Sequence, residues 1–319
     1  MPVMGFDSSE VSWTRYWRAG NRDTCFTADG AFSIEERWAS FFNQLTGGAS
    51  VLDLATGNGA VALIAAKTGK DKEQPFLITA VDQADISPQD SLQNPSSLLN
   101  TIYFIPNTPI ESLPFTDQSF DAICSQFGFE YSDIAKSLQE IIRLSKPSAK
   151  LCLVIHAKNG DIEQSSKNRL RRVHALVGKG RVVESIFSIA QLQLESSSSN
   201  RARIQKLEKR VLDKLKKSLQ QLAGVVNDDV ALSTVNYLGS ILSERQQMNP
   251  AEFNSIVRDI SKELHAYIVR LNTMINAAQS QQDMNRIEKQ LCNSGFTDIQ
   301  VEAINDGNNI VAWQLLASR

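Results

Sequence analysis

Apolar positions along this chain fall into two patterns that divide it. From Val51 to Ile155 they come as short runs: Val51-Leu52-Asp53-Leu54, Phe76 to Val81, Thr101 to Ile105, Phe120 to Phe127 and Leu151 to Ile155. Runs of that length, separated by helical stretches, predict a parallel sheet with helices on both faces. From Arg201 the spacing changes to three and four. Ile204, Leu207, Val211, Leu215, Leu219, Leu222 and Val226 make one amphipathic stripe, and Phe253, Ile256, Ile260, Leu264, Tyr267, Leu271 and Ile275 make another. The second helix has a marked start, with Asn249 as N-cap, Pro250 in the first helical position and Glu252 three residues after the cap. A third helix is expected from Asp228 to Arg245, and Ser196-Ser197-Ser198-Ser199-Asn200 predicts a flexible break.

The first apolar run breaks into Ala55-Thr56-Gly57-Asn58-Gly59-Ala60 and then an apolar helix from Val61 to Lys67. A tight strand-to-helix turn needs residues without a bulky Cβ, which Gly57 and Gly59 supply. The free N–H groups of the helix start face whatever lies over the turn. Ligands of such sheets bind beyond the carboxyl ends of the strands, and a carboxylate there suits a ribose diol because it accepts from both hydroxyls. Asp82 ends the second run, 25 residues beyond Gly57. That spacing also fits a dinucleotide site, but the turn lacks the third glycine and carries Asp53 just before it. A nearby carboxylate repels a pyrophosphate and attracts the ammonium of a methionine moiety.

Further along come Ile110-Glu111-Ser112-Leu113-Pro114-Phe115, Ser119-Phe120-Asp121, Leu144-Ser145-Lys146-Pro147, Ser294-Gly295-Phe296 and Ala312-Trp313-Gln314-Leu315. Together with the turn, this series resembles the class I S-adenosylmethionine-dependent methyltransferases over roughly residues 50–156 and again from about 286. The resemblance implies an α/β, Rossmann-like, doubly wound sheet of seven strands, parallel with an antiparallel last strand. It implies three parts: an N-terminal helical cap at 1–48, a core at 49–160 and 286–319, and a helical insertion at 161–285 acting as a lid or a dimerisation element. Carried over by position, Asp53 would lie near the methionine portion of S-adenosyl-L-methionine, and Ala55, Thr56, Gly57, Asn58 and Gly59 would form the wall beside it. Asp82 would hold the ribose with Gln83 next to the adenine, and Ile110 and Glu111 would follow. Many relatives carry an acidic residue two positions before the match to Glu111, where this chain has Pro109. Ser125, Gln126 and Phe127, after the fourth strand, would face cofactor and acceptor. The Leu113-Pro114-Phe115 and Ser119-Phe120-Asp121 segments bring the chain closest to the subgroup acting on quinones, lipids and varied metabolites.

Composition narrows the partners. With 33 basic and 35 acidic residues the net charge is −2, so nothing pulls the chain toward nucleic acid or an anionic membrane, and a small-molecule acceptor is the default. The Lys206, Lys209, Arg210, Lys214, Lys216 and Lys217 cluster is diluted by Glu195, Glu208 and Asp213, and is better explained as a solvated helix face. Cys25, Cys124, Cys152 and Cys292 show no metal or disulfide spacing, so no metal is expected; Cys124 and Cys152 fall in strands and are expected buried. No run is long enough to span a bilayer and no signal-type segment opens the chain, so a cytoplasmic setting is the simplest expectation.

Methyl transfer from a sulfonium needs chiefly alignment of the nucleophile, with a base optional. His156, at the end of the fifth strand, is the best placed candidate base, with Glu130 and Tyr131 beyond the fourth; the ordinary alternative for His156 is a strand-end histidine bonded to backbone. Trp13, Tyr16 and Trp17 share one helical face. They either staple that helix to the core or form a lid over the pocket, where aromatic faces suit a sulfonium or cationic acceptor. Trp38, Phe41 and Phe42 are expected in the core. The expected function is methyl transfer to a small molecule, with a homodimer through the insertion possible; the alternatives are a non-catalytic cofactor-binding protein with a helical partner module, or a nucleic-acid methyltransferase.

Overall fold

The computed structural model describes residues 8–21, 34–178, 180–195, 198–224 and 229–319. Cys25, Ser196, Ser197, Val226 and Asp228 lie outside the described residues. In chain order, α1 (Ser9–Arg18) and α2 (Ile34–Asn43) precede β1 (Ser50–Leu54), α3 (Ala60–Gly69), β2 (Leu77–Val81), the single turn α4 (Pro88–Ser91), β3 (Ile102–Ile105), β4 (Phe120–Gln126), α5 (Ile134–Leu144) and β5 (Ser145–His156). Five helices follow: α6 (Asp161–Leu176), α7 (Val182–Leu194), α8 (Ser198–Gln221), α9 (Val230–Glu244) and α10 (Pro250–Ala277). The chain closes with α11 (Gln281–Asn293), β6 (Thr297–Asp306) and β7 (Asn309–Ser318).

The seven strands form one sheet in the order β3-β2-β1-β4-β5-β7-β6. β1 pairs in parallel with both β2 and β4, β3 joins β2 and β5 joins β4 in the same sense, and β7 runs antiparallel to β5 and β6. This is the Rossmann-like α/β sheet with one reversed strand that the resemblance implies. Alternation along the strands feeds two cores. Val51, Ala122, Cys124, Cys152 and Val154 pack with Trp38, Phe41 and Phe42 of α2 and Ala62 and Ala65 of α3. Leu52, Leu54, Ile123, Leu153 and Ile155 pack on the other side with Leu138 and Ile141 of α5 and Met284, Ile287 and Leu291 of α11. Because the strand order reverses direction of winding at β1 and β4, their carboxyl ends part and leave a crevice.

The chain divides into two compact units, 8–164 with 273–319 and 165–272. The division is tighter than the expected 161–285, because α11 contributes its apolar stripe to the sheet's core. Within the expected 1–48 segment, α2 inserts Trp38 and Phe42, both essentially unexposed, beneath the sheet. The helical unit has a core of its own, built from Ile186 and Ile189 of α7, Val211 of α8, Leu238 of α9 and Phe253 and Val257 of α10. Asn249 caps α10 as expected, its Oδ1 accepting from the Ala251 N–H at 2.8 Å. Asp229 caps α9 and pairs with Arg172 at 2.7 Å.

Candidate active site

A cavity of about 440 Å³ opens at the carboxyl ends of β1, β2 and β4. Its size is that of a small-molecule site. On the β2 side stand Asp82, Gln83 and Ala84, with Ile110 and Glu111 next to them. Asp82 is 8% exposed. Its Oδ2 accepts from the Gly57 N–H and its Oδ1 from the Ala84 N–H, both at 2.8 Å, so the carboxylate bridges the turn after β1 and the loop after β2. Burial pushes its pKa up to about 6, against the pull of those two bonds. Glu111 accepts from the Asp133 N–H at 2.8 Å.

The glycine turn is built as the sequence requires and used differently from expectation. Gly57 and Gly59 have φ of +55° and +81°. A Cβ on Gly59 would stand 2.8 Å from the Phe104 ring, and one on Gly57 would stand 2.4 Å from the Trp17 indole. The turn therefore carries the indole directly on its backbone. Asn58 fastens α1 from the other side, its Nδ2 donating to the carbonyls of Trp17 at 2.9 Å and Asn21 at 2.6 Å. A second fastening joins α1 to the loop after β2, where Arg18 donates to the Asp85 carbonyl and pairs with its carboxylate at 2.8 Å.

Asp53 does not line the cavity. It is 1% exposed beneath the turn, where Oδ2 accepts from Thr56 Oγ1 at 2.6 Å and from the Ala62 N–H at 3.2 Å. Burial, with a smaller contribution from the Asp82 charge, raises its pKa to about 7. Thr56, Gly57, Asn58 and Gly59 also stay off the cavity wall, whereas Ala55 is on it with a left-handed φ of +51°. Gly128 lies against Ala55: a Cβ there would come within 2.3 Å of Ala55 Cβ.

After β4, Ser125 and Gln126 serve structure. Ser125 Oγ donates to the Leu54 carbonyl at 2.9 Å and accepts from the Phe129 N–H at 3.1 Å, while Gln126 Oε1 accepts from the Trp38 indole at 2.5 Å. Phe127, with φ of +53°, is on the wall and stacks on the His156 ring at 4.2 Å. His156 is unexposed and off the wall. Its backbone N–H donates to Glu130 Oε1 at 2.8 Å, and its Nδ1 lies 2.6 Å from the same oxygen. Glu130 is on the wall, and its other oxygen, Oε2, is buried without a hydrogen-bond partner. Tyr131 also lines the cavity, its ring perpendicular to that of Trp13 at 5.7 Å.

Trp13 and Trp17 stand on the wall, stacked on each other at 6.0 Å; Tyr16 is off it, edge-on to both. The wall further includes Glu10, Gly128, Thr273 and Asn276, which sequence reasoning passed over. Glu10 had a signal, since it lies three residues before Trp13 and seven before Trp17 on one helical face. Thr273 and Asn276 had none: they reach the site because Gln279, just beyond α10, is tied to the end of β5, donating to the His156 carbonyl and accepting from Lys158 at 2.8 Å. Among the described residues no group of His, Cys, Asp and Glu is placed to hold a metal, and no helix is long and apolar enough to cross a membrane.

Residues 52–153 match a family model described as a methyltransferase domain. The chain is 33% identical over 129 residues to the ubiquinone/menaquinone biosynthesis C-methyltransferase UbiE of Rickettsia bellii, covering 39% of this chain and 52% of that protein. It is 31% identical over 141 residues to the corresponding protein of an Enterobacter species, covering 43% and 55%. The chain thus spans about half the length of the curated relatives it matches. Among solved structures it is similar to an S-adenosylmethionine-dependent methyltransferase from Aquifex aeolicus, with TM-score 0.33, 25% identity and coverage of 39% of this chain and 65% of that one. Sheet order, glycine turn and family match agree over the matched stretch: residues 52–153 form a methyltransferase domain on a Rossmann-like sheet.

Proposed function

We propose that this protein transfers a methyl group from S-adenosylmethionine to a small-molecule acceptor inside the cavity beyond β1, β2 and β4. The observation that carries this reading is Asp82. Buried on the cavity wall, it has each oxygen engaged once, by Gly57 and by Ala84, and each keeps capacity for a further donor such as a ribose hydroxyl. Ala84 and Ile110 give that end of the cavity apolar surface for a purine, with the Gln83 amide beside them. When bound, S-adenosylmethionine supplies a methyl group already activated by its positive sulfur.

The residues then have three tasks. Ala55, Phe127 and Gly128 shape the floor between the two ligand regions, with two left-handed backbones fixing its contour. Trp13 and Trp17, fastened through Asn58 and Arg18, exclude water from above. Tyr131 lines the acceptor region, and His156, stacked behind Phe127, is held against the buried Glu130 carboxylate rather than touching the acceptor.

Calorimetric titration with S-adenosylmethionine and S-adenosylhomocysteine tests the assignment. Micromolar binding of both is expected, and Asp82→Ala should weaken it by about 1–3 kcal/mol, the range for losing a charged hydrogen-bond acceptor. Unchanged affinity in Asp82→Ala would sink the site assignment, and no binding by the parent protein would sink the function.

A further inference from the structure

We propose that α8 is a docking surface for an anionic membrane, its exposed face lying along the lipid headgroups with Leu212 and Leu219 entering the acyl boundary.

Charge sets α8 apart from the rest of the chain. Ser198–Gln221 carries eight basic and two acidic side chains in a protein of net charge −2, so the remainder is acidic on balance. Along the sequence, nearby acids dilute this cluster; in the fold they are taken elsewhere. Glu208 pairs with the buried Arg245, and Glu195 ends α7, where it accepts from Asn200 Nδ2 at 3.3 Å. Lys214 is likewise engaged on α7, donating to Ser185 Oγ at 2.7 Å. Lys206, Lys209, Arg210, Lys216 and Lys217 stay exposed, with Arg201 and Arg203 nearer the helix start, and Asp213 is the exposed acid among them. None of these seven cations has an ion-pair partner among the described residues. Like charges three and four positions apart, such as Lys206 with Lys209 and Arg210, repel one another, and an anionic surface relieves that repulsion.

A second observation is apolar and independent of the charge. The buried stripe of α8 is Ile204, Val211, Leu215 and Leu222, whereas Leu212 and Leu219 are 48% and 40% exposed. Lys209, Leu212, Lys216 and Leu219 follow at steps of three, four and three, so lysine and leucine alternate along one line of the helix surface. A membrane interface accommodates both kinds of side chain. Leucines enter the acyl boundary while lysine stems lie beside them and keep their ammonium groups at the phosphates. A nucleic-acid backbone would neutralise the same charge and leave the two leucines in water. Moreover, α8 holds no aromatic side chain on which a base could stack. Attachment is to the surface, since no helix among the described residues is long and apolar enough to cross.

Co-sedimentation of the full chain with phosphatidylcholine vesicles, with and without phosphatidylserine, tests the assignment. Binding to the mixed vesicles is expected, falling steeply with salt, and at least about tenfold weaker binding to phosphatidylcholine alone. Lys209→Gln with Lys216→Gln should weaken it on the order of 25-fold, at about fivefold for each cation near an anionic surface. Leu212→Ser with Leu219→Ser should weaken vesicle binding several-fold and leave any retention on an RNA duplex unchanged. Lys67→Gln, at an exposed position on α3, should alter neither. All these positions face solvent, and melts followed by circular dichroism certify the fold of each variant. The proposal is overturned if phosphatidylserine gives no preference, or if either pair of substitutions leaves vesicle binding unchanged. Retention on the RNA duplex without vesicle binding also overturns it, and assigns the face to nucleic acid. Methyl transfer enters none of these readings, so they stand apart from the proposed function.

Discussion

Asp53→Asn should make the sheet-bearing unit more stable at neutral and alkaline pH and leave it nearly unchanged in acid. The Asp53 carboxyl sits 1% exposed beneath the glycine turn, and its pKa rises from 3.8 to about 7 through burial. The folded state therefore holds a proton that the unfolded state has already lost. Stability from this group is complete below the unfolded value, falls as pH climbs from about 4, and is gone above about 7. The gap between 3.8 and about 7 amounts to about 4 kcal/mol, a large share of the 5–15 kcal/mol that holds a typical domain folded. Asparagine keeps an oxygen able to accept from Thr56 Oγ1 and the Ala62 N–H, so the two native bonds survive without the ionisation. All four tryptophans, Trp13, Trp17, Trp38 and Trp313, lie in this unit, so urea unfolding followed by tryptophan emission reports it separately from the helical unit. The stability of Asp53→Asn minus that of the parent should rise by about 3 kcal/mol between about pH 4.5 and about pH 8. Asp82, whose pKa is about 6, titrates alike in both proteins and largely cancels from the difference. A flat difference profile would refute the reasoning, because it would mean that Asp53 ionises in the folded protein as readily as in water.

Gly57→Ala should cost about 1–2 kcal/mol, from the left-handed backbone at φ +55°, and displace the Trp17 indole, since the new methyl would stand 2.4 Å from the ring; a red shift in tryptophan emission reads the displacement, and an unshifted spectrum would show that the indole does not rest on the turn. In the helical unit, Asp229→Ala removes both the cap of α9 and the partner of Arg172, and should lower stability by about 2–4 kcal/mol in thermal melts followed by circular dichroism. Asp229→Asn keeps the cap and should recover about half of that loss; equal losses in the two variants would assign the whole effect to the ion pair.

The sheet was legible because each strand is buried on both faces, so that β1, β2, β4 and β5 stand out as unbroken apolar runs. The long helices α8 and α10 announced themselves by stripes, and Asn249 by its capping position. Two helices, α6 and α7, were not singled out. The polar α6, Asp161–Leu176, buries few of its side chains, and α7 is apolar enough around Ile186, Phe187 and Ile189 that no single stripe shows. The unit boundary within α10 was illegible for a different reason: the helix is continuous, and only long-range pairing through Gln279 brings its last turn to the cavity.

At the site, the residue types were legible and their division of labour was not. A carboxylate before a glycine turn can bind a ligand or cap the helix beneath, and both uses ask for the same residue at the same place. Asp53 does the second here, accepting from Ala62 N in the first turn of α3. The Trp13, Tyr16 and Trp17 stripe posed a similar choice between staple and lid, which geometry dissolves. Trp17 packs on Gly57 while also lining the cavity, Trp13 lines it while stacking on Trp17, and Tyr16 only buttresses the pair. Packing and wall are one arrangement, because the indole that rests on Gly57 also carries the Trp13 ring that lines the cavity beside it. The same logic explains His156. A strand-end imidazole can reach the crevice only if no neighbour covers it, and the left-handed turn at Phe127 lays a phenyl ring across it. What reaches the wall instead is Tyr131, while the Glu130 carboxylate is buried behind it with that imidazole and accepts the backbone N–H of the same residue.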